Sequence, residues 1–219
     1  MSIIVLPENH EAWLKERKYG LGGSDAAAVL GMTKWKSNVE LWEEKVGLRE
    51  PEDISEKPYV KYGHDAEPFI RGIFALNHPE LKVTYESPYK MIRHSEYPFL
   101  FATPDGELEE IATGRKGGLE VKTTEIRNPR QWDDWKDRIP DAYFCQVCHQ
   151  MAATGWEFVW LAAHIKWYTK DGDFRIDTRE YYIERQKYEA DIQYTMTEGI
   201  KFWQQVERRE RPNLILPYI

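Results

Sequence analysis

Pro104-Asp105-Gly106 and, fourteen positions beyond that glycine, Glu120-Val121-Lys122 are the residues on which the reading of this chain turns. The first triplet is turn chemistry, whereas 118–123 is a short β-rich run. On a strand, alternate side chains share a face, so Glu120 and Lys122 point one way and Val121 points into the core. A turn at the end of a neighbouring strand can bring the Asp105 carboxylate beside Glu120. Two carboxylates meeting at a sheet edge repel unless a cation lies between them, and hard oxygen donors suit Mg²⁺ or Mn²⁺. Such an ion can bind a phosphodiester oxygen and lower the pKa of a water it holds. Lys122 is then placed to orient or deprotonate that water, or to stabilise charge on the phosphate. Alone the pattern has little specificity, because such turns and Glu-x-Lys strands are common.

Around this centre the period of the sequence changes twice. Helices are expected over 8–18, from a cap at Ser24 or Asp25 to Gly31, over 39–46 behind Ser37, and over 62–76. The polar stretch 50–58, with two prolines, reads as a loop. Strands follow over 82–85, 89–94, 99–103, 107–111 and 118–123, punctuated by Pro88 and Pro98. A helix over 139–154 precedes strands over 158–168 and 174–183, with Asp171-Gly172 as the hairpin turn between them. A charged helix over 184–209 closes the chain. Helices, a mixed central sheet and helices again make an α/β (α+β) fold in a single domain 1–219, with its core over about 10–183 and a C-terminal helix and tail beyond.

The formal charge of −7, from 30 Lys plus Arg against 37 Asp plus Glu, argues against a generally basic nucleic-acid binder. It leaves room for a protein that concentrates a few basic groups in one place. The apolar run Ile3 to Leu6 is too short for a signal peptide, and no 18-residue apolar stretch exists, so a cytoplasmic, membrane-free protein is expected. Cys145-Gln-Val-Cys148-His149 matches the pattern for covalent haem attachment and for redox dithiols. It falls in an expected helix with no thioredoxin-like strand before it, so these cysteines read as helix-packing residues and no haem is expected. Trp132, Trp135, Trp156, Trp160, Trp167 and Trp203 are mostly core or interface candidates.

Five motifs occur in one order. They are Trp13-Leu-Lys-Glu-Arg17, Gly22-Gly-Ser24-Asp25-Ala-Ala27, Tyr62-Gly63-His-Asp-Ala-Glu67, the Asp105 and Glu120/Lys122 pair, and Tyr143-Phe-Cys-Gln146-Val-Cys-His149-Gln150-Met151. Together, over roughly 10–165, they resemble the YqaJ-like viral recombinase (lambda exonuclease) family, within the PD-(D/E)xK nuclease superfamily. The resemblance implies a restriction-endonuclease-like core and a Mg²⁺-dependent 5′→3′ exonuclease on double-stranded DNA. Such an enzyme leaves 3′ single-stranded overhangs for phage-type recombination by single-strand annealing. An endonuclease or an exonuclease of other polarity on the same core, or a DNA-end-binding module without catalysis, are the rival readings.

The family pattern also distributes roles. Asp105, Glu120, the Val121 carbonyl and Glu67 become metal ligands, with two ions per site. Lys122 becomes the catalytic lysine and Gln146 a residue that orients water or lysine, with Gln150 and His149 one turn along. Arg17, Ser24 and the nearby Thr103 become the cradle of a terminal 5′-phosphate. Tyr59-Val60-Lys61 stands where the lambda member has an apolar wedge. A ring-shaped trimer, an annealing-protein partner and a bacterial or phage-infected host cytoplasm are further implications. Glu120→Ala and Lys122→Ala are expected to abolish hydrolysis while sparing the fold, as changes in a partly open site.

Overall fold

The computed structural model describes residues 2–128, 130–169 and 171–216. Its central sheet grows from two 11-residue strands, β6 (Lys116–Ile126) and β7 (Phe158–Tyr168), paired in parallel from Gly117↔Phe158 to Ile126↔Trp167. Both bury residues on two faces, as strands in the middle of a layered sheet must. β8 (Phe174–Glu184) returns antiparallel on β7; its turn uses Gly172, at φ +87°, whose N–H donates to the Thr169 carbonyl at 3.1 Å. On the other side β5 (Gly106–Glu110) pairs antiparallel with β6, and β2 (Leu81–Thr84) pairs with β5 at the edge. The order is therefore β2-β5-β6-β7-β8. A smaller sheet joins β1 (Ile3–Val5), β3 (Met91–Arg93) and β4 (Phe101–Ala102) in the order β1-β3-β4.

Helices cover both faces. On one, α4 (Pro58–Asn77) buries Ile70 and Phe74 against Leu119, Val121, Phe158 and Ala162. On the other, α6 (Asp141–Thr154) buries Val147, Cys148 and Met151 against Val159, Leu161, Ala163 and Ile165. Each such large side chain taken from water contributes about 1.5–3 kcal/mol. Beside this core stand α1 (His10–Lys18), α2 (Gly23–Val29), α3 (Asn38–Lys45), α5 (Arg130–Asp133) and α7 (Glu189–Arg208). Phe202, Trp203 and Val206 of α7 pack with Leu21, Leu41, Trp42 and Leu100, and Trp203 stacks on Phe99 at 5.4 Å.

The ends of α3 and α6 use residue types suited to caps. Ser37 and Glu40 close a reciprocal capping box on α3, and Gly155, at φ +77°, ends α6. By contrast, α2 takes Gly22 as its N-cap and holds the expected caps Ser24 and Asp25 inside the helix, because the Asp25 carboxylate, three residues on, accepts from the Gly22 N–H at 3.1 Å. Other features also depart from the sequence reading. The closing helix α7 begins at Glu189 rather than at 184, because β8 runs on to Glu184 and a 3₁₀ turn over Arg185–Tyr188 intervenes. α4 begins at Pro58, four residues ahead of the expected Tyr62, because proline's fixed φ and missing N–H suit the first position of a helix. Strand β1, within the short apolar run Ile3 to Leu6 where no strand is expected from sequence, is held by pairing with β3, Ile4 lying opposite Ile92.

Candidate active site

The site forms where β5 parts from β6. The ladder runs Glu109↔Lys116, Leu108↔Gly117, Glu107↔Gly118 and Gly106↔Leu119, and stops there. One more step in that register would set Asp105 opposite Glu120, and the chain turns away at that residue. Asp105 takes over the vacated ladder position with its side chain: Oδ2 accepts from the Val121 N–H at 2.7 Å. An extended residue's N–H and C=O leave the strand on one side, so the Val121 carbonyl faces the same gap. Arg71 of α4 steadies the turn by donating to the Asp105 carbonyl at 2.5 Å while its guanidinium lies 3.7 Å from the Tyr85 ring centroid.

Glu120 points towards α6, away from Val121. Gln146 donates to its Oε1 at 2.6 Å and Gln150 to its Oε2 at 2.5 Å. Lys122, two residues on and on the same face, approaches Oε1 at 2.5 Å. Glu120 is only 2% exposed, so it is not the partly open position expected from sequence; it is a buried charge held by three donors. Gln150, one turn along from Gln146, is its equal here. The signal was available, since Gln146 and Gln150 are four apart and share a helix face. His149 faces elsewhere: its Nε2 lies 3.0 Å from the Leu21 carbonyl and 3.1 Å from that of Phe101, and burial pushes its pKa down.

Glu67 reaches the corner from the opposite face. Its helix comes close because Gly63 sits against β6; a Cβ there would lie 3.0 Å from Thr123 Oγ1. Burial and the Glu120 charge push the Glu67 carboxyl up, against the pull of His64, Arg71 and Lys122. Asp105 is raised well above the usual aspartate range by burial first, then by Glu120 and Glu67. For Lys122 burial works downwards, but Glu120 and Asp105 outweigh it and hold the amine charged.

Three carboxylates thus crowd one corner, and their mutual repulsion is what a divalent cation would relieve. The donor set of carboxylates plus a peptide carbonyl is that of a hard ion, so the residues fit Mg²⁺ or Mn²⁺ chemically. Among the described residues no three His, Cys, Asp or Glu side chains already surround one point as a finished cage. Both Glu120 oxygens and one Asp105 oxygen are engaged by protein donors, so ligation would exchange some of these contacts.

Of the residues that the resemblance assigns to a 5′-phosphate, Arg17 and Ser24 are brought together. Arg17, in the last turn of α1, donates to Ser24 Oγ at 2.6 Å and stands 5.1 Å from the Trp13 ring centroid. Leu21 pairs in parallel with Leu100, so both chains lead in one direction, to Ser24 and to Thr103. The Thr103 hydroxyl is buried and finds no partner among the described residues. Gly23 rests on the α6 glutamines; a Cβ on it would lie 2.9 Å from Gln146 Cγ and 3.4 Å from Gln150 Cγ. The Arg17–Ser24 pair is thereby one contact away from the groups that hold Glu120.

Other residues singled out in the sequence take structural parts. Cys145 and Cys148 are buried free thiols, pushed by burial up to about 11 and about 12, and His149 is committed to two backbone carbonyls. Trp135, Trp156 and Trp203 are buried, while Trp132, Trp160 and Trp167 pack partly buried against the two sheet cores. Glu109 and Glu110 pair with Lys116 and Arg115 across the hairpin. Tyr59-Val60-Lys61, expected ahead of the helix, lies in its first turn, with Tyr59 exposed. Among the described residues no helix is long and apolar enough to cross a membrane.

Comparison with known proteins agrees with this architecture. The alkaline exonuclease LHK-Exo of Laribacter hongkongensis superposes with a TM-score of 0.64 at 22% identity, over 92% of this chain and 94% of that one. The structure of LHK-Exo in complex with dAMP matches with a TM-score of 0.63, at the same identity and coverage. At that identity the likeness establishes a shared fold. In sequence the chain is 35% identical over 158 residues to the YqaJ protein of Bacillus subtilis (strain 168), spanning 70% of this chain and 46% of that protein. The chain therefore spans about half the length of the curated relative it matches. The model of the YqaJ-like viral recombinase domain matches residues 12–157. With two-thirds of its length under that match, the chain belongs to the YqaJ-like viral recombinase family.

Proposed function

We propose that this protein is a divalent-metal-dependent deoxyribonuclease, and specifically a 5′→3′ exonuclease that digests one strand of duplex DNA from its end. The observation that carries the reading is the meeting of Asp105, Glu120 and Lys122 where β5 leaves β6, with Glu67 approaching from α4. That the similar LHK-Exo is an alkaline exonuclease, with a nucleotide complex, supports the same substrate class.

Asp105, Glu120, Glu67 and the Val121 carbonyl would hold one or two Mg²⁺ ions. A divalent ion there supplies Lewis acidity towards a phosphodiester and towards water. Lys122, held as an ammonium, is suited to stabilise charge on the phosphate and to orient the nucleophile by donation rather than to take its proton. Gln146 and Gln150 fix the Glu120 carboxylate so that its orientation does not depend on bound substrate. The Arg17 guanidinium, Ser24 and the unpaired Thr103 hydroxyl suit a terminal 5′-phosphate, which favours end-anchored digestion and 3′ overhangs fit for annealing. Self-association finds support in the exposed apolar stripe Phe69, Ile73 and Leu76 on α4.

Digestion of duplex DNA labelled at either end, phosphorylated or not, with Mg²⁺ or EDTA, tests the reading. Metal-dependent release of 5′ label is expected. Binding without degradation would leave an end-binding module; release only from 3′ ends would overturn the polarity, and cleavage of closed circles would overturn the exonuclease reading in favour of an endonuclease.

A further inference from the structure

Lys45 is the last residue of α3, and its side chain is 7% exposed. Its Nζ donates to Asp25 Oδ2 at 3.0 Å and to the Arg17 carbonyl at 3.3 Å. Asp25 Oδ2 also accepts from the Gly22 N–H at 3.1 Å, fixing the entry to α2. Both contacts fall on the segments that carry the anchor: Arg17 supplies the guanidinium, and Ser24, its partner at 2.6 Å, is the immediate neighbour of Asp25. A single buried ammonium therefore ties down both halves of the pair from behind. The Arg17 carbonyl is one of those at the end of α1 that the helix itself leaves without a partner, so Lys45 also closes that helix.

Burying an ion pair adds little to stability compared with apolar residues of similar volume, so its stability contribution is a weak reason for placing one here. What it fixes is geometry, since a lysine confined between a carboxylate and a carbonyl sets the separation of two chain segments. We infer that Lys45, acting through Asp25 and the Arg17 main chain, is a positioning residue that sets the spacing of Arg17 and Ser24 and so the discrimination for a 5′-phosphorylated DNA end. The inference rests on the 5′-phosphate role proposed for Arg17 and Ser24.

The experiment compares kcat and KM on duplexes carrying a 5′-phosphate or a 5′-hydroxyl, with binding of both duplexes followed by fluorescence anisotropy in EDTA. The variants are Lys45→Met/Asp25→Leu, which replaces the buried pair by apolar volume, and Lys45→Arg, which keeps a cation; circular dichroism checks that each folds. In the double variant the 5′-phosphate preference is expected to fall at least tenfold, through KM and binding rather than kcat, with partial rescue by Lys45→Arg. Should the double variant fail to fold, Lys45→Gln, which keeps one donor, is expected to give an intermediate loss. Full preference in folded Lys45 variants, with preference lost in Arg17→Ala, would overturn this inference alone. No preference in the wild-type protein would overturn both it and the anchor on which it rests.

Discussion

Gly23 and Gln146 are in direct contact: a Cβ on Gly23 would stand 2.9 Å from Gln146 Cγ, closer than such carbons approach. Gln146 in turn donates to Glu120, and Ser24 follows Gly23 in the chain. The residue that must stay bare thus separates the phosphate-side segment from the acid-side helix, and alanine there should force Gln146 off Glu120. Gly23→Ala is expected to leave a folded protein with kcat down about tenfold, equivalent to about 1.4 kcal/mol of barrier. Steady-state digestion kinetics check it; unchanged kcat would mean that the contact has no bearing on Glu120.

Removal of Glu120 should do more than stop hydrolysis. Glu120→Ala strands the Gln146 and Gln150 amides and the Lys122 ammonium in a buried place. Each unsatisfied buried group costs about 1–3 kcal/mol. Activity below detection together with a melting temperature lower by several degrees is expected. Thermal melts of this variant beside Glu120→Gln, which keeps the shape, separate the chemical loss from the structural one.

Metal binding should release protons. Burial and the neighbouring carboxylates raise the Asp105 and Glu67 pKa values, so an ion must displace protons held above the ordinary carboxylate range. The affinity for Mg²⁺ is therefore expected to weaken as pH falls into that raised range, and calorimetry in buffers of different ionisation enthalpy counts the protons. The sign for stability is opposite. A carboxyl whose folded pKa is raised adds stability that is fully present below its unfolded pKa and lost as pH rises through the folded one. Metal-free protein should accordingly lose stability with rising pH across that window, and Mg²⁺ should restore it.

The two thiols should be inert in the native state. With Cys145 and Cys148 buried and pushed up to about 11 and about 12, the thiolate population at pH 8 is very small. Reaction with a disulfide reagent is expected to be slow until denaturant is added, when both should react. Rapid native modification of either would contradict their placement.

Local patterns in the chain foretold much of this. The 11 residues of β7 coincide with the expected strand over 158–168, and Ser37 caps its helix as read, because apolar runs and caps are local signals. Glu120, Lys122 and Val121 take their expected faces for the same reason. What stayed hidden is non-local. β1 depends on a partner nearly ninety residues away, and the Lys45–Asp25 pair joins two helices whose approach no single segment encodes. The burial of Glu120 was illegible because it arises from α6 packing on the sheet.

The early departure of β5 from its ladder has a consequence for how the chain tolerates change in length. Four residue pairs lie between the Asp105 turn and the hairpin tip, where Gly114 turns at φ +74°. Insertions at that tip lengthen a solvent-facing loop and leave the pairing behind it in register. A single residue added within Gly106–Glu109 instead slips the pairing by one and reverses which side chains face the core. The hairpin therefore has one end free to drift over generations and one end where every position is counted.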